Sequence, residues 1–573
     1  MYGVDEEPTA EVVLTLAKHL EGVWSRAHVQ WSQADTYYNR TYDVWPQTGV
    51  AKNRSFYRPS TPTNIIDHAV DNQLAIMPRF HREPVGRDKD TEERSGKIEN
   101  WLVAAFTEMS LLEPSLIWKQ VGKFLTLYGY ASVKGPLLVK LHMPVRRSGE
   151  QAPEFDLRME RYEDDKNSII PFRLSAIHPA QILLPPLDMR PTWGIEHTNM
   201  YAYDIEALVA RKRGKRAPAG TFAYDKEQPF RVHQVTQYWS VEWHSVVVEG
   251  ELLYNERNAW GYIPFTHGYA GYGMETTDSD AFDPAELAVG MLNSSMDSIK
   301  AQAQARSAQQ NALILAAYRK RATRNEPVEM AEQLAQSDIL HYEPGDMWWE
   351  EIPNLPNSIF QTDLLVDQDI EHGTYARNLA GQPTPGVTTV GQEAMQRTSA
   401  NRKFISTMVQ MDRMATIVAS NLLRLLTIND ETITVHGISL SPKDIAGDYN
   451  IQAQFKAVDP ILALQARELG LRERAVGAKS LARYWREDSE LEDVAGERKE
   501  LMKERIRQHP AYINAAGIEI AKEMGLDALV DELMAAQPPD RDPGSNGPLR
   551  QPISPDAPVL PGQPRVKIPP QGV

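Results

Sequence analysis

Three acidic residues and one lysine-containing stretch are of the types that bind cations or phosphates. Asp278, Asp280 and Asp283 are spaced like the first ligands of a calcium loop, but Asp283 stands where the turn glycine belongs. Val289 stands where the final bidentate acid belongs. These acids are better explained as helix-start residues, where negative charge is favourable. Gly477-Ala478-Lys479-Ser480 resembles the end of a phosphate-binding loop, but its glycine and lysine are not adjacent.

Motifs for catalysis are otherwise absent from the sequence. Nucleotide-binding G-x-x-x-x-G-K-S/T, zinc-binding H-E-x-x-H and nucleophilic G-x-S-x-G do not occur, and the 14 histidines are dispersed. The chain has no cysteine, which excludes disulfides and thiolate sites and fits assembly in a reducing cytosol. The sequence therefore predicts a protein that is not an enzyme, with no catalytic residue, no metal and no cofactor.

Two basic segments could contact nucleic acid or a protein. The first runs from Arg211 to Arg216, and a solvated loop explains it better than a nucleic-acid site because no aromatic residue is interleaved with it. The second runs from Tyr318 to Arg321 and follows a predicted helix. Trp348-Trp349 could form a stacking platform, although a partly buried strand pair is the better interpretation.

The composition predicts a folded, acidic protein with several structural regions. A chain of 573 residues is too long for one compact core, and 42% of its residues are hydrophobic. It contains no apolar run long enough to span a membrane, and its N-terminus lacks the order of a signal peptide. The net charge of −16 favours solubility. It also argues against tight binding of DNA through its phosphates, although not against DNA sliding past.

A flexible loop followed by a long helix is the most informative pattern in the chain. Residues 381–391 read GQPTPGVTTVG, and residues 392–427 contain neither proline nor glycine. The second stretch predicts a helix of about 35 residues, roughly 50 Å long. Thr389 and Gln392 have the spacing of a capping box. One apolar seam follows the helix: Phe404, Met408, Met411, Ala415, Val418, Leu422 and Leu425. This arrangement suggests a part that reaches into a space and moves there.

The region before residue 283 predicts helices followed by strands. Apolar spacing indicates helices over 11–39, 63–76, 91–109 and 114–128, the last ended by Gly129. Short β-rich runs separated by Gly and Pro indicate a strand-rich α+β part over 130–270, interrupted by a short helix over 204–211.

A helix of small polar residues is predicted to begin at Asp283-Pro284, with Asp at the N-cap and Pro at the first helical position. Its sequence IKAQAQARSAQQ cannot bury a large apolar face by itself, so we expect it to pack beside copies of itself. Its two cations are Lys300 and Arg306, and interhelical ion pairs are one interpretation of both.

The rest of the chain is predicted to alternate between short and long elements. A return helix is indicated over 327–336, a strand with a turn over 339–349, and a helix over 361–379. Short β elements are expected over 431–458, followed by a charged helical region to about 534. The Pro-rich stretch 538–573 cannot bury enough surface to fold alone.

The serial order of these parts resembles the portal proteins of tailed bacteriophages over about residues 10 to 530. The segments that carry the resemblance are Trp45-Pro46, Asn64–Asp67, Trp101-Leu102, Leu127–Val133, Ile177–Leu183 and Tyr262–Phe265. In the family, a glycine similar to Gly129 precedes the strands of the wing. The Ile177 segment departs from the family pattern, because Leu184-Pro185 replaces the aspartate that often follows, with an acid only at Asp188.

The resemblance implies an α+β portal fold with wing, stem, clip and crown, in a ring-forming homo-oligomer. The implied regions are 1–282 wing, 283–317 first stem helix, 318–326 clip, 327–338 second stem helix, 339–380 wing return, 381–391 tunnel loop, 392–428 long helix, 429–536 crown and 537–573 tail.

The resemblance also implies a function. Portal proteins form rings, usually of about twelve subunits, at one capsid vertex of the virion after assembly in the host cytoplasm. Double-stranded DNA passes through the ring without sequence-specific contact. The implied partners are the terminase large subunit, which hydrolyses ATP, a head–tail adaptor, and the major capsid and scaffold proteins.

Three sets of residues follow from the resemblance as functional sites. The stem candidates that face the lumen are Lys300 and Arg306. The tunnel-loop residues that would face DNA are Gly381, Gln382, Pro383, Thr384, Pro385, Gly386, Val387, Thr388 and Thr389, although the loop could instead only seal gaps between subunits. The clip residues that would contact terminase or adaptor are Tyr318, Arg319, Lys320, Arg321 and Arg324.

Three other functions are compatible with the sequence. Another head–tail connector ring is one, although such adaptors are usually much shorter. A metal-dependent DNA-processing enzyme with scattered carboxylates is the second, and a host scaffold unrelated to phage is the third. Imaging of the purified protein and an assay of divalent-metal dependence would separate these alternatives.

Overall fold

A computed structural model describes residues 7–478, Tyr484, Glu497 and residues 501–504, with gaps in the first range at 46–55, 72–76, 85–88, 139–150, 169, 189, 214–227, 276–281, 318–320, 324–346, 350–356, 375–401, 431 and 456–459. The chain divides into two compact units, Met1–Leu462 and Ala463–Val573. Most of the described residues belong to the first unit.

The described residues form helices and antiparallel sheets, so the predicted α+β class is confirmed. The helices are α1 (Ala10–Tyr38), α2 (Thr61–Ala69), α3 (Lys89–Leu111), α4 (Ile117–Tyr128), α5 (Ala152–Ser168), α6 (Ala202–Arg213), α7 (Pro284–Leu287), α8 (Met296–Ala317), α9 (Asn357–Gly373), α10 (Ile405–Asn429), α11 (Pro442–Ile445) and α12 (Pro460–Ala475). The strands are β1 (Arg79–His81), β2 (Tyr130–Leu138), β3 (Phe172–Ile177), β4 (Ile182–Leu183), β5 (Trp193–Tyr201), β6 (Val232–Ser240), β7 (Trp243–Val248), β8 (Glu251–Arg257), β9 (Phe265–Tyr269), β10 (Arg321–Thr323), β11 (Met347–Trp349), β12 (Ile433–Val435), β13 (Ile438–Leu440) and β14 (Gln452–Gln454).

Helix α1 forms where the sequence predicted it, because its apolar residues recur every three or four positions. Thr9 caps its start by accepting a hydrogen bond from the Val12 amide. The residues that it buries are Val13, Ala17, Leu20, Trp24, Ala27, Trp31 and Ala34. Two of its indoles are anchored to the rest of the unit, since Trp24 donates to the Leu184 carbonyl and Trp31 to the Tyr128 carbonyl, each at 2.9 Å.

Two antiparallel sheets follow helix α4. Gly129 ends α4 in the left-handed conformation, with a φ of 73°, which glycine adopts at little cost. Strand β2 begins at the next residue and lies between β3 and β9. The second sheet has the order β4-β5-β6-β7-β8 and is antiparallel throughout. The strand-rich part predicted over 130–270 is thus present, and α6 matches its predicted short helix, whereas the sequence did not predict α5.

Helix α10 lies at the centre of the core. Its residues Met411, Met414, Ala415, Val418 and Leu422 are fully buried. The helix packs against β2, β9, β14 and α4. It ends at Asn429, because Asp430 takes a left-handed conformation with a φ of 50°. The helix predicted over 392–428 is described only from residue 402, where a 3-10 turn precedes α10.

Residues 433–455 belong to the core of the first unit. Strand β14 pairs with β1, so that Arg79 lies opposite Gln454. The indole of Trp101 in α3 donates to the Ile433 carbonyl at 3.0 Å. The two compact units divide after Leu462, so the region predicted as 429–536 is split rather than uniform. The sequence did not predict the pairing of β14 with β1, because short β runs carry no information about the distant strand with which they pair.

The helix predicted over 283–317 is interrupted. Asp283 does cap α7, its carboxylate accepting a hydrogen bond from the Ala285 amide at 2.9 Å. Residues 288–292 then leave the helical conformation, and the Met291 amide donates to the Thr126 carbonyl at 2.8 Å. The cause is a close crossing of two backbones, since a Cβ atom at Gly290 would lie 1.9 Å from the Leu127 carbonyl oxygen.

This crossing predicts opposite effects of alanine at two glycines. Gly290→Ala forces the backbones of α4 and residues 288–292 apart and should lower the free energy of unfolding by about 3 kcal/mol. Gly22→Ala, inside α1 with no atom within 4 Å of the added methyl, should raise it by roughly 1 kcal/mol. Urea denaturation of both variants measures the two shifts. A Gly290→Ala protein as stable as the original would contradict the close crossing.

Candidate functional site

Helices α8 and α9 form an antiparallel hairpin. At its base Gly373 lies against Ser295, where an added Cβ would be 2.3 Å from the serine Oγ. Further along, Ser298 donates a hydrogen bond to Asp369 and Gln302 donates to Asp367. The two helices therefore run antiparallel, because residues later in α8 contact residues earlier in α9. At 1.5 Å per residue, α8 is about 33 Å long.

Arg306 forms an ion pair across the hairpin. Its Nη2 lies 3.2 Å from both carboxylate oxygens of Asp367, and its Nε lies 3.5 Å from Oδ1 of Asp363. All three side chains are less than a third exposed, so the charges are only partly screened. The interhelical ion pair, which the sequence left as the alternative, is therefore the observed arrangement for Arg306.

Lys300 is placed differently from Arg306. In the part of the chain that the structure describes, no acidic side chain forms an ion pair with Lys300, so of the two predicted stem cations it alone lacks an intrahelical or interhelical partner.

Helix α8 is also bonded to the body of the first unit. Gln304 donates to the Val44 carbonyl at 2.9 Å, Thr61 donates to Gln302 at 2.9 Å, and the Tyr57 amide donates to Ser307 at 2.9 Å. The small polar residues of α8 are thus satisfied to a large extent within one chain. The sequence did not predict these contacts, because it does not show which loops reach the helix. The packing of α8 beside copies of itself stays a prediction.

Among the described residues, a helix other than the predicted second stem helix packs on α8. Residues 327–338 lie outside the described residues, and the helix that packs on α8 is α9, which falls in the range predicted as wing return. The position of α9 matches the helix predicted over 361–379, although it begins four residues earlier and ends at Gly373.

A pair of short strands follows α8 and precedes α9. Arg321 lies opposite Trp349 and Thr323 lies opposite Met347, in antiparallel register. This confirms a strand at Trp348-Trp349. Of the predicted clip residues, only Arg321 is among those described, and Tyr318, Arg319, Lys320 and Arg324 lie outside them.

The predicted tunnel loop, Gly381 to Thr389, lies outside the described residues, but the two ends of its segment are brought together. Lys403, just before α10, donates hydrogen bonds to the carbonyls of His372 and Thr374 at the end of α9. Thr374 and Lys403, on either side of residues 375–401, are therefore in contact. Burial lowers the pKa of the Lys403 amine. Sequence analysis missed Lys403, whose only signal was its position at the start of the seam.

Several leucines on the hairpin face solvent. Leu313 on α8 is 67% exposed, and Leu364 and Leu365 on α9 are 64% and 65% exposed. Ile405 and Val409, one turn apart on α10, are also exposed. Adjacent exposed leucines on a helix are typical of surfaces that another molecule covers.

The acidic residue Asp283 has a structural role at a helix start. Asp283 is occupied as an N-cap and pairs with Arg26, while Asp278 and Asp280 lie outside the described part. Among the residues that the structure describes, no three His, Asp or Glu side chains are arranged to hold one metal ion. The described helices include none with the length and apolarity to cross a membrane.

Comparisons with known proteins give only weak likenesses. No protein-family model and no curated protein matches the chain. A chain from the neck of an empty gene transfer agent particle, computed with C6 symmetry, is 11% identical, with a TM-score of 0.35 over 75% of this chain and 90% of that chain. A chain from the virion of a native gene transfer agent particle is 11% identical, with a TM-score of 0.30 over 76% and 94%. At these TM-scores neither likeness bears on the function of this chain.

The Arg306–Asp367 contact predicts a measurable coupling. Arg306→Ala leaves two partly buried carboxylates without their cation and should destabilise the protein by about 1–3 kcal/mol. Asp367→Ala removes one partner, and the double variant should cost less than the sum of the two changes by about 1 kcal/mol. Lys300→Ala is the control and should leave the free energy of unfolding nearly unchanged. Additive effects in the urea-denaturation cycle would show that the contact does not hold the helices together.

Proposed function

We propose that this chain is the subunit of a phage portal, a ring at one capsid vertex through which DNA enters and leaves. The observation that carries the proposal is the α8–α9 hairpin, which stands between the strand-rich body and the core helix α10. In the chain, a strand pair lies between its two helices, and the predicted loop segment follows its second helix. This is the order of stem, clip, tunnel loop and long helix that the sequence resemblance implies.

In this proposal the stem, clip, wing and crown comprise different residues from those that the sequence resemblance implies. Helices α8 and α9 form the stem, and residues 318–349 form the clip around the β10–β11 pair. The tunnel loop stays at 381–391, within a segment whose ends Lys403 ties together. The wing comprises the residues before α7, and the crown comprises residues after the division at Leu462.

Ring formation accounts for the exposed leucines of the hairpin. Leu364 and Leu365 face away from the contacts with α8, so a neighbouring copy can cover them without disturbing the hairpin. Closed rings bury one repeated interface per subunit and leave no open ends. In this proposal the polar pairs hold the stem together within a subunit, and the leucines join one subunit to the next.

Charge fits a channel for sliding DNA. Each copy carries −16 formally, so a ring repels phosphates from most of its surface. Because Arg306 is held by Asp363 and Asp367, it contributes little free positive charge, and Lys300 remains the stem candidate for contact with DNA. Few phosphate contacts mean weak, salt-sensitive binding that permits movement.

The proposed partners follow from the same role. The clip docks the terminase large subunit during packaging and a head–tail adaptor afterwards, and the wing contacts capsid and scaffold proteins during assembly in the host cytoplasm. The protein acts as a channel in the virion and performs no catalysis itself.

The first test is electron microscopy of the purified protein together with native mass measurement. Rings of about twelve subunits with a central channel wide enough for a DNA duplex are expected. The double variant Leu364→Ser, Leu365→Ser should reduce the fraction of protein in rings. Leu313→Ser tests whether the end of α8 also contributes to ring formation. A monomer or dimer at micromolar concentration would overturn the proposal, and divalent-metal-dependent cleavage of DNA would then be assayed.

The basic residues of the clip predict a second result. Replacing Arg319, Lys320 and Arg321 together with alanine should weaken binding of the terminase large subunit about tenfold at low salt, since electrostatic attraction across an interface is lost. Rings should still form. The matched control replaces Arg211, Lys212 and Arg213, which carry the same charge elsewhere. Pull-down or surface plasmon resonance at two salt concentrations measures the change, and equal weakening by the control would refute a clip-specific contact.

A further inference from the structure

Four apolar side chains form an exposed patch on the five-stranded sheet, where β5 ends and α6 begins. Tyr201 is the last residue of β5 and lies opposite Val232, the first residue of β6. Tyr203 follows in α6, and Phe230 lies just before β6. Phe230 is 71% exposed, Val232 56%, Tyr201 45% and Tyr203 42%. Contiguous exposed apolar side chains are typical of a surface that another molecule covers, and we refer to these four residues as the aromatic patch.

The three rings of the aromatic patch have a defined arrangement. The rings of Tyr201 and Tyr203 are stacked, with their centroids 5.9 Å apart and an angle of 10° between their planes. The Phe230 ring is nearly perpendicular to both, at centroid distances of 6.1 and 5.9 Å. The Tyr203 amide donates to the Pro229 carbonyl at 3.3 Å, which fixes the start of α6 beside the segment that carries Phe230. Because the rings are already in contact, they lose little conformational freedom when a partner binds.

Acidic side chains lie beside the aromatic patch. Asp204 is in the first turn of α6, and Glu206 lies two residues further along the same helix. Glu249, in the turn between β7 and β8, has its Oε1 3.9 Å from Nη2 of Arg231, the residue that follows Phe230. The three acids outweigh the positive charge of Arg231. The patch therefore favours a partner that is apolar on one face and positively charged beside it.

One stretch of the sequence, outside the described residues, has this chemistry. Prolines occur at every third position from 552 to 564, in the sequence PISPDAPVLPGQP. A polyproline II helix has three residues per turn, so in that conformation this spacing places all of these prolines on one face. Arg565 and Lys567 follow directly and exceed the charge of the single acid of the stretch, Asp556. We refer to residues 552–567 as the proline segment.

We propose that the aromatic patch binds the proline segment of a second copy of this chain. Prolines spaced for one face of a polyproline II helix dock on aromatic rings, and the basic residues after them match the acids beside the patch. A single chain leaves the rings of the patch exposed, so the occupant comes from another copy. The contact requires two copies but not a closed ring, so it holds or fails independently of the proposed portal. In any assembly of copies, the high effective concentration of neighbouring segments strengthens the contact.

Fluorescence anisotropy of a labelled peptide of residues 551–568, added to the full chain, tests the contact. The chain carries Pro555→Ala, Pro558→Ala and Pro561→Ala, so that its own segment does not compete with the peptide. Phe230→Ser should weaken peptide binding about tenfold, since single aromatic anchors carry much of the energy of such contacts. Leu187→Ser is the matched control, because Leu187 is 72% exposed and lies outside the patch, and it should leave binding unchanged. Equal binding to the two variants would overturn the proposal.

Altered peptides test the proline spacing and the charge separately. A peptide of the same composition, with its prolines moved away from every third position, should bind about tenfold more weakly, because its prolines no longer share one face. A peptide with Arg565→Gln and Lys567→Gln should bind severalfold more weakly at low salt, and the difference should shrink at high salt. Equal binding of the original and rearranged peptides would refute recognition of the proline spacing.

Because the chain contains no cysteine, disulfide crosslinking shows directly whether two copies take part. Gln234→Cys places a thiol at an exposed position of β6, on the same face as Val232, and Ala557→Cys places one in the proline segment. The two variants carry different tags and are produced together in one cell, and mild oxidation should join the two tags. Leu112→Cys, exposed between α3 and α4, replaces Gln234→Cys as the control and should give little crosslink. A mixed crosslink no stronger than the control would overturn the assignment to a second copy.

Discussion

The burial of helix α10 is the contact on which the rest of the first unit depends. Its apolar residues close a core whose other walls are α3, α4, β2 and β9, and β14 lies along its side. Side chains of α10 also hold that strand, since Thr416 accepts a hydrogen bond from the Ala453 amide at 2.9 Å and Asp412 accepts one from the Phe455 amide. The strand segment at 452–455 therefore cannot move without disturbing α10. The hairpin of α8 and α9 is fixed at its base to the start of the same helix through Lys403.

Local patterns in the sequence predicted local structure well. The spacing in α1, the stop at Gly129 and the cap at Asp283 are each decided by residues within a few positions of one another, and each was found. Elements whose stability comes from distant partners were missed. Strand β5, between β4 and β6, contains Glu196 and His197, polar residues that a single-strand pattern does not favour. The break at 288–292 depends on contact between Gly290 and Leu127, which no local pattern records.

The candidate site was predictable in its composition and not in its contacts. The polar character of α8 and the basic turn after it are evident from the sequence. For Arg306 the sequence left two alternatives, a lumen-facing cation and an interhelical ion pair, and the second is observed. Choosing between them required the position of Asp363 and Asp367, whose helix was predicted but placed in another region. The leucines at 364 and 365 carried no signal, because adjacent apolar residues on a helix suit a core face and an exposed face equally.

The long separation of core contacts in the sequence also bears on how the chain is made. Trp101 and Arg82 bond residues 332 and 366 positions later, at Ile433 and Asp448. During synthesis on the ribosome, the walls around α3 and β2 therefore exist for many seconds before the helix that covers them has been translated. Their apolar surface is exposed throughout that interval, while the polar hairpin between them emerges as a segment with little to collapse onto. Such a nascent chain is a natural client of molecular chaperones, and its yield on overexpression should depend on them more than its stability after folding would suggest.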